Sequence, residues 1–158
     1  MSADSTRQRI AELARAEVGT PREKYMLAEL GELAEVSWCG LFALWIYHAA
    51  GLAAAVRWIL MRGFALPAKL RPYSATGREK PRVGDLAYFD KEQHHAIVLG
   101  YDPATDRVEL ANGNSWDPEL SPELIKDTGR GDVVAISTRP RREVAVFYSI
   151  DKWVPDAA

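Results

Sequence analysis

Apolar positions change their spacing once along this chain. Ile10, Leu13, Ala14 and Val18 recur at helical intervals, so residues 5–18 read as a first helix, stopped by Gly19-Thr20-Pro21. Residues 25–33 read as a short second helix. Ser37 reads as the N-cap of a third over 38–50, with Gly51 ending it. That third segment is apolar almost all round, the mark of a helix buried in the middle of a domain. Beyond residue 83 the grammar becomes that of strands: 85–89, 94–101 and 107–111, the last two joined by the turn residues Tyr101-Asp102-Pro103-Ala104-Thr105-Asp106. Two further strands are predicted at 133–138 and 144–150. Residues 115–131 read as loop, with one helical turn after Ser121-Pro122.

Helices first and an antiparallel sheet of about five strands second is the α+β class. The expected organisation is one domain over 1–158, with a helical part at 5–62, a linker at 63–82 and a sheet part at 83–154. Pro67, Pro72 and Pro81 punctuate the linker. Its basic residues Lys69, Arg71, Arg78, Lys80 and Arg82, opposed by Glu79, read as a solvated loop rather than a binding patch.

Composition narrows the partners. A chain of 158 residues suits one domain with a core of its own. The net charge of −2 argues against nucleic acid as a partner. The single cysteine can form no internal disulfide, so cysteine usage does not report the compartment. The N-terminus is charged and amphipathic, without the apolar run and small-residue cleavage site of a secretory signal. The expectation is a protein cytoplasmic as made. Residues 36–56 carry no charge, a run of the ~20 residues that a membrane span needs. Ser37, Gly40, His48 and Gly51 interrupt it, and Glu35 and Arg57 flank it, so a buried helix and no membrane span are expected.

The lone cysteine stands where chemistry is favoured. Cys39 falls in the first turn of the third predicted helix, where free N–H groups and the helix dipole stabilise a thiolate. Of the three histidines, His48 lies nine residues further along the same helix, about 180° round and ~13 Å away, and cannot serve the thiol. His94 and His95 open an apolar strand, where a histidine facing a helix start would make a cysteine–histidine pair. Only one of the two can face Cys39, because strand side chains alternate. His94 shares its face with the smaller set Ala96, Val98 and Gly100, which suits tight packing on a helix, and is the expected base. Asn112, in Asn112-Gly113-Asn114, can accept from the imidazole and fix its orientation. The same Asn-Gly pair also reads as a turn. A metal site of Cys39, His94 and His95 is disfavoured, since strand neighbours point apart. No metal and no cofactor are expected.

Four segments in order resemble the NlpC/P60 and CHAP superfamily. Ser37-Trp38-Cys39-Gly40 and the apolar run after it look like its nucleophile helix. Residues 81–89, PRVGDLAYF, are similar to its first strand, 94–102, HHAIVLGYD, to its histidine strand, and 108–114, VELANGN, to the segment bearing its third polar residue. The resemblance covers residues 20–115. It implies a papain-like fold and hydrolysis of amide bonds in bacterial peptidoglycan by an amidase or endopeptidase, with a wall peptide as substrate, export to the cell wall by a route other than the general secretory path, and a delivery or immunity protein as partner. It maps Cys39 onto the nucleophile, His94 onto the base, Asn112 onto the orienting residue and Asn114 onto an auxiliary asparagine. Tyr25 matches the tyrosine that assists the oxyanion, and Trp38 the residue before the nucleophile. Three features depart from the pattern: His95 replaces the usual aliphatic residue, Asn112 an acid, and no wall-binding module is attached. Acyl transfer to an amine, as in transglutaminase-like enzymes, and a non-catalytic binding domain are the alternatives.

Overall fold

The computed structural model describes residues 3–21, 24–25, 38–52, 58–61, 64–67, 70–91, 94–115, 133–152 and 154. Among these, the helices are α1 (Ala3–Ala16) and α2 (Cys39–Ala49). The strands are β1 (Trp58–Met61), β2 (Phe64–Pro67), β3 (Arg71–Ser74), β4 (Leu86–Phe89), β5 (His94–Asp102), β6 (Arg107–Ser115), β7 (Val133–Pro140) and β8 (Val146–Ser149). β1 and β2 form a two-stranded antiparallel ribbon. The other six make one antiparallel sheet in the order β3-β8-β4-β5-β6-β7. The class is α+β, as the hydrophobic pattern implied.

The expected linker is where the pattern misled. β2 and β3 fall inside 63–82, and β1 falls at the end of the part expected to be helical. β3 is a short edge strand paired only to β8, and it tolerates Pro72 because an edge leaves some N–H groups without a ladder partner. The sheet therefore has six strands rather than five. Arg71 is tied to Glu79 and Asp151, in keeping with a charge-balanced surface. The expected helix at 25–33 lies outside the described residues except for Tyr25, which is helical. The helical turn after Ser121 also lies outside them. No helix among the described residues is long and apolar enough to cross a membrane.

Each face of the sheet has its own apolar layer. On one face Leu86, Ile97, Leu99, Ala111 and Val134 pack with Ile10, Ala14, Leu41, Phe42 and Ile46 of the two helices. On the other, Ala87, Phe89, Ala96, Val98, Val108, Leu110 and Phe147 cluster with Tyr73 and Val144. The bulkier residues of β5 therefore meet the helices, and the smaller ones line the opposite face. This reverses the expectation drawn from side-chain size. The helix face is filled by residues of α1 and α2, while the other face packs against its own strands and the segment around Val144.

A buried carboxylate locks α1 to the sheet. Asp85 accepts from Arg7 Nη1 at 2.8 Å, from the Tyr73 hydroxyl, from the Arg82 N–H at 3.2 Å and from the Ile150 N–H at 3.4 Å. Gly84 before it adopts φ +92°, and a Cβ there would lie 3.2 Å from Ile150 and 3.3 Å from Ile10. Asp85→Ala strands the Arg7 cation in the core and is expected to cost about 3–5 kcal/mol, measured by chemical denaturation.

Candidate active site

Cys39 is the first helical residue of α2 and is 2 % exposed. The cap position is Trp38, which makes no side-chain cap bond; Ser37, the expected cap, lies outside the described residues. The first-turn placement stands, with the helix dipole at the thiol. Along α2, Cys39, Phe42, Ala43 and Ile46 share one face by the 3.6-residue period. Gly113 of β6 shows what that face meets. A Cβ on Gly113 would lie 2.7 Å from Phe42 Cβ and 2.8 and 2.9 Å from two Trp38 ring carbons. The start of α2 thus rests on β6 at Gly113, and only a glycine lets it come so close. Gly113→Ala is expected to destabilise the fold by about 1–3 kcal/mol through overpacking, read as a lowered melting temperature, and to shift the start of α2.

Asn112-Gly113-Asn114 is strand here, not a turn. β6 runs through to Ser115, with its register against β7 shifting between Asn112 and Ser115. The Asn112 amide is anchored: Nδ2 donates to Ser137 Oγ at 2.9 Å, to the Ala135 carbonyl at 3.1 Å and to the Leu110 carbonyl at 3.3 Å. Its Oδ1 is then turned to His94 Nε2, 2.9 Å away. The histidine and asparagine singled out from sequence are therefore bonded to each other. The Asn114 side chain lies outside the described residues.

The two histidines occupy opposite faces of the sheet. His94 pairs with Phe89 across the ladder, and the ring centroids lie 6.0 Å apart, on the face of the second cluster. His95 pairs with Tyr88, the centroids lying 4.8 Å apart. By alternation from Leu86 and Ile97, the His95 face is the one that carries the helices. His95 is 1 % exposed. The face assigned from sequence to His94 is thus occupied by His95. His48 sits half-buried near the C-terminal end of α2, far along the helix from Cys39.

Tyr25 joins an aromatic cluster with Trp38, the residue before the cysteine. Its ring stacks on Trp38 at 5.6 Å and 6°, and meets Phe42 and Trp45 edge-on at 5.3 and 5.7 Å. Burial raises its phenol pKa well above the ordinary tyrosine value, so the hydroxyl remains a donor throughout the working pH range. Trp38 itself is buried. Two contributors were missed in the sequence. Tyr88 is legible afterwards as the cross-strand partner of His95, but Ser137, which holds Asn112, carries no local signal. No group of three metal-binding side chains occurs among the described residues.

Fold and site together define an α+β protein in which a helix that begins at a cysteine packs on two sheet strands bearing histidine and asparagine. No family model, curated protein or solved structure matches the chain.

Proposed function

We propose that the chain is a cysteine amidohydrolase or peptidase with a papain-like arrangement, cleaving amide bonds of bacterial peptidoglycan. The observation that supports the chemical part is that α2, which begins at Cys39, packs on β5 and β6 over the sheet face on which His95 lies. A thiolate at that helix start is favoured by the dipole and by a neighbouring imidazole. In the proposed cycle the histidine takes the thiol proton and sulfur attacks the amide carbonyl. The amine leaves with that proton, and water hydrolyses the acyl-thioester. Tyr25, a persistent phenol beside Trp38, is suited to donate to the oxyanion.

His95 is the better placed base, because it shares the face of α2. A second reading keeps the sequence expectation of His94. It is favoured by the 2.9 Å contact between His94 Nε2 and Asn112 Oδ1, which fixes the ring as an orienting amide does for a catalytic histidine. The wall-peptide substrate rests on the family resemblance. Its test is mass spectrometry of purified sacculi after digestion, with Cys39→Ala as control. New amine and carboxyl ends that depend on Cys39 support the reading. Their absence in sacculi of several species, with an intact reactive thiol, moves the assignment to acyl transfer.

A further inference from the structure

The two candidate histidines differ in what holds their rings. The outer torsion of a histidine side chain is broad, so a ring that must take a proton from one direction needs a neighbour to fix it. The orienting amide expected from sequence is engaged with His94. Asn112 Oδ1 lies 2.9 Å from His94 Nε2, and Nδ2 donates to Ser137, Ala135 and Leu110. At His95 the neighbour is an aromatic ring. Tyr88 is its partner across the β4–β5 ladder, with centroids 4.8 Å apart and planes tilted by 35°. The corresponding distance from Phe89 to His94 is 6.0 Å. Tyr88 is itself well anchored. β4 lies between β8 and β5, so Tyr88 also pairs with Val146 on its other side, and its carbonyl accepts from the Ala145 N–H at 2.9 Å.

We propose that Tyr88 is a positioning residue: its ring packs on the His95 imidazole and holds it against rotation. The nitrogen that receives the thiol proton then keeps its direction. The inference rests on His95 as the base of the proposed reaction. The ring is the active part and the hydroxyl is not, because a flat carbon face at this spacing restricts turning of a second ring, and such aromatic pairs add to plain contact area. A central strand paired on both sides is a stiffer platform for this than a loop.

The test compares Tyr88→Leu, which removes the ring, with Tyr88→Phe, which keeps it, in the full chain. His95→Ala assigns the His95 ring signals among the three histidines. In Tyr88→Leu, ¹³C relaxation is expected to show a more mobile His95 ring. On sacculi, kcat is expected to fall about tenfold with KM unchanged, since the loss is one of orientation. Alkylation of Cys39 by iodoacetamide, which needs no sacculi, is expected to slow. Tyr88→Phe is expected to recover all three. Tyr88→Val, also compatible with a strand, replaces Tyr88→Leu if that variant does not fold. A His95 ring as rigid without Tyr88 as with it overturns the proposal. So does a mobile ring with kcat and alkylation unchanged, a raised KM in place of a lowered kcat, or a loss that Tyr88→Phe does not recover. If wild-type protein leaves sacculi uncut, the wall-peptide reading fails by itself, and ring mobility and alkylation decide the role of Tyr88.

Discussion

Cys39→Ala is expected to leave a folded, inactive protein. Sulfur is the only group in the proposed site that can carry the acyl chain, so no residual covalent route survives its removal. Loss of a nucleophile in a comparable acyl-transfer site lowers kcat by orders of magnitude, on the order of 10⁴-fold or more. The structural cost is small by contrast. The thiol is buried but about methyl-sized, and its loss costs about 1 kcal/mol. Unchanged circular dichroism with no new ends in digested sacculi is the expected pair of results. The wild-type thiol is also expected to react with iodoacetamide faster than a model thiol near pH 7, given the helix-start dipole and the imidazole proposed as its base. A fully active Cys39→Ala protein, or a thiol that reacts only on unfolding, would remove Cys39 from the chemistry.

His95→Ala is expected to abolish turnover, and His94→Ala to weaken it. The face that carries α2 carries His95, and removing a general base lowers rates about 10²–10⁴-fold. His94 lies on the other face, bonded to Asn112. Its loss perturbs the strand that presents His95 without removing the proton acceptor. Both variants must be assayed on the same sacculi and checked for fold, because the rings pack on Tyr88 and Phe89 respectively. The reverse ranking would return the base to His94, with Asn112 as its orienter. Asn112→Ala separates the two as well. It is expected to cost little if His95 is the base, and to follow His94→Ala if His94 is. Two active histidine variants would show that no cysteine–histidine pair operates.

The elements of this protein were largely legible in the order of its residues. Apolar spacing placed α1 and α2 within two residues of where they form, and alternation placed β4 to β8. These patterns are local: a stripe every 3.6 residues or every second residue states which side of an element must be buried. The helix-start position of Cys39 followed from the same signal. β1 to β3 did not, because four-residue strands among prolines and charges carry too few alternations to stand out, and β3 owes its state to pairing with β8. Nor did the extension of β6 through Asn112-Gly113-Asn114. Asn-Gly favours a turn on its own, but pairing with β7 and the seating of Trp38 and Phe42 on Gly113 hold it in the sheet. The two histidines mark the limit most sharply. Alternation required them to part company, and it could not say which face would receive α2. That was decided by tertiary packing: Ile97 and Leu99 join the helical core, and Ala96 and Val98 cluster with Phe89 and Phe147. Burial of a face is written into the sequence; what it is buried against is settled only when distant segments meet.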